Sequence, residues 1–148
     1  THFGFVEADS VRFADFTLQT SSGGFNAENL NADTVFINAT SGKINIKELD
    51  SKELTVKGSS ADVLINCKEF NIENVTIGTT SGDITLELPR TAEFSYNVIA
   101  ANRKIKSDFP INSVQASKKN LLGQIGNKNN KGSLQVTSGD IAILKNND

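Results

Sequence analysis

The sequence predicts an all-β protein folded as a single parallel β-helix, because a short pattern recurs at nearly constant spacing. Segments 40–46, 80–86 and 137–143 each read Thr-Ser-Gly, then Lys or Asp, then a run of alternating apolar residues. Counted through the turns, the steps are 19, 19 and 21 residues between Gly23, Gly42, Ala61 and Gly82. A repeat of about this length is typical of a solenoid, in which neighbouring coils share one apolar core.

Three columns of apolar residues justify the separate strands of each coil. The strand before each turn begins at Phe16, Val35, Leu54, Val75 and Phe94, and Leu134 extends this column after a longer gap. The strand after each turn contributes Ile44, Val63, Ile84 and Ile141, and a third column contains Leu30, Leu49 and Phe70. We therefore expect parallel strands spaced about 4.8 Å apart. The general handedness of parallel crossovers predicts a right-handed path.

The repeat breaks near the end of the chain. Residues 112–132 are rich in Lys, Asn, Ser and Gly, which favour turns. We predict one domain over residues 1–148, with a hairpin or long loop that leaves the rod around residues 105–133 and a last coil after it.

Charge is divided unevenly along the chain. Residues 1–101 carry 7 basic and 14 acidic side chains, a balance of −7, and residues 102–148 carry 8 basic and 3 acidic ones, a balance of +5. Coils stacked in sequence order would give a rod with one acidic and one basic end, which could attract each other head to tail.

The basic cluster is the leading candidate for a binding site. Its members are Arg103, Lys104, Lys106, Lys118, Lys119, Lys128 and Lys131. Anionic lipid head groups, anionic wall polymers or glycans would suit it. No nucleic acid is expected, because Phe109 is the one aromatic residue available for stacking in this region. The alternative is a solvated cap whose charges keep the open end from pairing with other strands.

Asp62 and Asp83 follow corresponding turns of adjacent coils and should lie roughly 5 Å apart. Paired carboxylates can bind Ca²⁺ or catalyse sugar cleavage. The alternative is that each Asp accepts turn N–H bonds. One pair supplies too few oxygens for Ca²⁺, and no other metal or cofactor motif is apparent, so we expect neither.

His2 and Cys67 are single residues of their kinds. Neither has partners in sequence for a triad, and we interpret Cys67 as a small, half-buried residue rather than a reactive thiol. No signal peptide or membrane anchor is visible in this chain.

Several segments resemble one bacterial family. Thr80-Ser-Gly-Asp-Ile84, Leu86-Glu-Leu-Pro89, Lys106-Ser-Asp-Phe-Pro110 and Gly132–Ile141 occur in the order typical of adhesin-like, largely uncharacterised β-helix domains. The resemblance implies a β-helix at the cell envelope or outside the cell, in some members linked to envelope stress, with no established enzyme activity. We therefore expect a non-enzymatic binding module. The alternative is a carbohydrate-active β-helix enzyme that uses Asp62 and Asp83.

Overall fold

The computed structural model describes residues 4–69, 71–101, 104–116, 120–126 and 131–147. Every regular element in these ranges is a β-strand, which confirms the all-β prediction. Within them, no helix is long and apolar enough to cross a membrane. The strands are β1 (Val6–Ala8), β2 (Val11–Thr20), β3 (Phe25–Cys67), β4 (Asn74–Ser81), β5 (Ile84–Leu88), β6 (Ser95–Ala101), β7 (Ile105–Ser107), β8 (Ile111–Ala116), β9 (Asn120–Gly126), β10 (Lys131–Ser138) and β11 (Ile141–Lys145).

Parallel pairing between successive coils builds a solenoid. β1 and β2 pair with the first part of β3, as between Val6 and Phe25. β4 and β5 pair with its later part, as between Leu54 and Val75. Hydrogen bonds between coils accordingly join side chains 19 positions apart early in the chain and groups 21 positions apart where β5 follows β3. β3 itself runs through 43 residues and therefore spans more than two coils. The pairings confirm the predicted β-helix and its coil length.

The core consists of apolar side chains that stack from coil to coil inside the solenoid. Successive strand residues point to opposite faces, so alternate residues of each strand enter the core. Leu30, Ile37 and Leu49 are fully buried. Burial of one such side chain stabilises the fold by about 1.5–3 kcal/mol. Phe70 of the third predicted column lies outside the described residues, and Ile72, two residues later, is buried.

The last coil in sequence is not the last coil in space, which corrects the expectation that coils stack in sequence order. β10 lies between β4 and β6, and all of these pairs are parallel. Likewise β11 lies between β5 and β7. The coil formed by β6 and β7 is therefore the terminal one. An apolar alternation cannot reveal this order, because strands of the same period can stack on one another in any sequence.

Two strands of the first predicted column are displaced by two residues. Val75 aligns with Gly132, and Gly132 aligns with Tyr96, so neither Phe94 nor Leu134 occupies the predicted position. A two-residue shift keeps the same side chains in the core, so the apolar pattern could not detect it. Gly132 faces the ring of Tyr96. A residue with a side chain would not fit here, because its Cβ would overlap this ring.

The predicted excursion contains the antiparallel hairpin of β8 and β9. This hairpin does not leave the rod, because β9 pairs with β6 and extends the sheet beyond the terminal coil. We call this the closed end of the solenoid, and the end formed by β1 and β2 the open end. β7 and Lys131 also fall within residues 105–133, and they belong to the coils.

Candidate functional site

The Thr-Ser-Gly corner brings adjacent coils into backbone contact. Gly42 and Gly82 have φ angles of 119° and 150°, which side chains of other residues rarely allow. In addition, a Cβ on Gly42 would overlap the carbonyl oxygen of Gly23, and one on Gly82 would overlap that of Ala61. Coil stacking therefore explains the most frequently repeated polar motif of the chain.

The Asp residues that follow these corners form a hydrogen-bonded ladder. The backbone N–H of Asp83 donates to Asp62 Oδ1 at 3.0 Å, that of Asp140 donates to Asp83 Oδ1 at 2.8 Å, and that of Lys104 donates to Asp140 Oδ1 at 3.1 Å. Because the last coil is inserted, Asp140 precedes Lys104 in this ladder. Each carboxylate thus accepts a backbone N–H at the corresponding turn of the next coil, which agrees with the alternative that these Asp residues accept turn N–H bonds.

The ladder places three carboxylates in a row on the solvent-exposed surface. One oxygen of each is already an acceptor for backbone N–H. In the described part of the chain, no group of three or more His, Cys, Asp or Glu could hold a metal ion. The geometry of Asp62 and Asp83 therefore does not support the enzyme alternative over the binding module.

The basic cluster is only partly described. Arg103, Lys118, Lys119 and Lys128 lie outside the described residues. Lys104 is exposed, and Lys131 begins β10, where it pairs with Asn74 of β4 and Ser95 of β6. Lys131 therefore belongs to the inserted coil and Lys104 to the terminal one. The role of this cluster stays a prediction.

A second polar ladder follows residues 28–33, 47–52, 66–69 and 71–73, which we call the acid–amide face. Asp50 accepts hydrogen bonds from Asn31 Nδ2 of the preceding coil and Asn71 Nδ2 of the following coil, both at 3.0 Å. Sequence reasoning missed this face. The sequence did contain a signal for this face, because its hydrogen-bonded residues stand one coil length apart, as the buried residues do.

Ion pairs run parallel to these amide contacts. Lys52 Nζ lies 3.1 Å from Asp33 Oδ1 and Lys68 Nζ lies 3.5 Å from Glu48 Oε2, and Lys47 pairs with Glu28. The hydrogen bond to Asp33 raises the pKa of Lys52, and the negative charge of Asp33 acts in the same direction. All three pairs are largely solvated, so each contributes little to stability. Their main effect is to hold the outer side chains in regular rows.

An open depression of about 470 Å³ lies along the acid–amide face. It is lined by Ser10, Glu28, Asn29, Lys47, Glu48, Asn66 and Lys68. None of these described lining residues is aromatic, and an aromatic platform is the feature we expect of a sugar-cleaving site. The depression is a polar groove along the acid–amide face.

Cys67 and Tyr96 lie inside the solenoid. Cys67 is fully buried, which is deeper than predicted. Burial raises the pKa of its thiol to about 12, and the charge of Asp50 adds to this effect. Burial also raises the pKa of Tyr96, whose hydroxyl donates no hydrogen bond to a described group. A thiol that stays protonated is a poor nucleophile, so Cys67 has a structural role. His2 lies outside the described residues.

The class of protein that these features define is a parallel β-solenoid whose outer polar ladders link one coil to the next. Residues 1–144 match the family model described as Toastrack DUF4097, and the chain belongs to this family of uncharacterised domains. No curated protein and no solved structure matches the chain significantly. Family membership agrees with the uncharacterised β-helix domain that the resemblance implied, and the adhesin-like role is a separate proposal.

Proposed function

We propose that this domain is a non-enzymatic binding scaffold of the bacterial cell envelope or cell surface. The observation that carries the proposal is the order of its outer surface. Asp50 is held between Asn31 and Asn71, and the Asp83 carboxylate is held by the next coil. A surface of side chains already fixed in rows suits recognition of an extended partner, because little conformational entropy is lost on binding.

The partner we propose is an anionic envelope component, such as a wall polymer, a lipid head group or an anionic glycan. The support is the charge of residues 102–131, which carry seven basic side chains and one acidic side chain. Their attraction for a polyanion would be long-ranged at low salt and screened at high salt.

Co-sedimentation tests this proposal. The intact chain is mixed with anionic vesicles, neutral vesicles or purified bacterial cell wall, each at low and high salt. The test variant replaces Lys118, Lys119, Lys128 and Lys131 by Ser. The control variant replaces Arg12, Lys43, Lys57 and Arg90 by Ser, which removes the same charge from exposed positions outside the acid–amide face.

We expect salt-sensitive binding by the intact chain and the control, and loss of binding in the test variant. Equal loss in both variants would show that net charge, and not these four lysines, attracts the partner. Absence of binding by all three proteins would contradict the proposal. Release of reducing sugar from the cell wall, abolished by Asp83→Asn, would instead establish the enzyme alternative.

A further inference from the structure

The two ends of the solenoid differ in the strands that form their edges. At the closed end, the hairpin of β8 and β9 covers the edge of β6. At the open end, β1 and β2 pair only with β3 among the described strands. No described strand other than β3 pairs with β2, so its outer edge could pair with a strand of another copy.

Apolar side chains emerge at the same end. Phe5 is 60% exposed and Phe13 is 47% exposed, and they are the exposed large hydrophobic residues of the described chain. Phe13 is continuous with the core, because its ring lies 5.8 Å from that of Phe16, which lies 5.4 Å from that of buried Phe25. Among the described residues, no further layer covers these side chains, and a second copy of the chain could bury them.

The strand directions at the closed end match those at the open end. β9 is antiparallel to β6, and β8 is antiparallel to β9, so β8 again runs in the direction of β6. This is also the direction of β2, because β6, β10, β4, β3 and β2 are linked by parallel pairs. β8 pairs only with β9 among the described strands. Its outer edge could therefore accept a parallel strand such as β2.

Charge selects which ends meet. Residues 1–34, which supply the open end, carry five acidic side chains and one basic one. Residues 102–131, the sequence range that contains β7, β8 and β9, carry seven basic side chains and one acidic one. Two open ends would repel each other, whereas an open and a closed end attract.

We propose that these solenoids associate head to tail, with β2 of one copy adding in parallel to the outer edge of β8 in the next copy. Such a contact joins two different surfaces and does not close on itself, so it produces linear oligomers. The face that contains β6 continues through β9 to β8, whereas the face that contains β7 has no described strand beyond β7. The contact therefore uses mainly the face that contains β8. The interface is accordingly small, and association depends on protein and salt concentration.

Complementation between two variants tests the proposal. The open-end variant carries Phe5→Ser and Phe13→Ser, and the closed-end variant carries Lys118→Glu and Lys119→Glu, which follow β8 in the sequence. A control variant carries Lys43→Glu and Lys57→Glu, which reverse the charge of two exposed lysines away from both ends. Circular dichroism and urea denaturation first establish that each variant folds like the intact chain.

Sedimentation velocity at low salt is expected to show oligomers of the intact chain and of the control that grow with concentration and dissociate at high salt. Each end variant alone should be a monomer. A mixture of the two should form one-to-one dimers, because each supplies the end that the other lacks. A monomeric intact chain at millimolar concentration, a closed-end variant that still dimerises by itself, or a mixture that stays monomeric would overturn the proposal.

Discussion

Gly132 of the inserted coil lies directly against the ring of Tyr96 in the terminal coil. A Cβ at position 132 would overlap this ring, whose Cγ atom lies 2.9 Å from the Cβ position. On the other side of β10, Gly132 aligns with Val75 of β4. If β6 stacked directly on β4 with Tyr96 opposite Val75, the Val75 side chain would have to occupy the space that Gly132 leaves open. The pair of Gly132 and Tyr96 therefore favours insertion of the last coil over direct stacking.

The first prediction concerns this contact. Gly132→Ala should lower the free energy of unfolding by about 1–3 kcal/mol, the usual cost of an overpacked core. Urea denaturation measures the loss. Gly78→Ala is the matched control, because no atom lies within 4 Å of a Cβ at that position in β4. Equal stability of the two variants would contradict the role given to Gly132.

The second prediction separates backbone strain from coil contact at the corners. Gly4 and Gly42 have similar φ angles of 135° and 119°, but a Cβ meets no atom within 4 Å at Gly4 and overlaps a neighbouring carbonyl at Gly42. Gly4→Ala should cost about 1 kcal/mol through strain alone. Gly42→Ala should cost clearly more, because the adjacent coils must also separate. Thermal and urea unfolding of both variants would measure the difference, and similar losses would show that coil contact contributes nothing.

The third prediction concerns the Asp ladder. Asp83→Asn retains an acceptor for the N–H of Asp140 and removes one of three adjacent negative charges. This variant should be at least as stable as the intact chain at low salt. Asp83→Ala loses the acceptor and should be less stable than Asp83→Asn by about 1 kcal/mol.

Urea denaturation at low and high salt would measure both effects. The stability advantage of Asp83→Asn over the intact chain should shrink as salt screens the charges. If Asp83→Ala equalled Asp83→Asn at both salt concentrations, the hydrogen bond to Asp140 would have no value for stability.

The fourth prediction concerns Cys67. Burial raises the thiol pKa to about 12, so the native protein should resist a chromogenic thiol reagent at neutral pH, and the unfolded protein should react completely. Stability should also fall as pH rises above the ordinary thiol pKa of 9.0, because the unfolded state ionises there and the folded state does so only near 12. Cys67→Ala should make this alkaline decline shallower. Rapid labelling of the native protein would refute the assignment.

The fifth prediction concerns the buried hydroxyl of Tyr96, which makes no hydrogen bond to a described group. Removal of an unsatisfied buried hydroxyl is nearly neutral or stabilising when the shape is kept. Tyr96→Phe should therefore be at least as stable as the intact chain in urea denaturation, whereas Tyr96→Ala should lose about 3–5 kcal/mol through the cavity it leaves. A strongly destabilised Tyr96→Phe would reveal a partner for the hydroxyl.

The fold class, the coil length and most core residues could be predicted from the amino-acid sequence. Leu30 and Leu49 stand one coil apart in the sequence because, in stacked coils, equivalent residues lie on top of one another. Regular spacing in the sequence thus reflects the stacking of equivalent residues in the structure. The same rule would have identified the acid–amide face, where Asn31 and Asp50 are also one coil apart and share a hydrogen bond.

The order of the coils, the register of the strands around Tyr96 and the position of Asp140 beside Asp83 depend on long-range packing and could not be predicted. An alternation of period two is unchanged by a shift of two residues, and equivalent coils are interchangeable in stacking. Only the close fit of one side chain against another residue, as between Tyr96 and Gly132, distinguishes these arrangements. Such a fit joins residues that are far apart in sequence, and no local pattern encodes it.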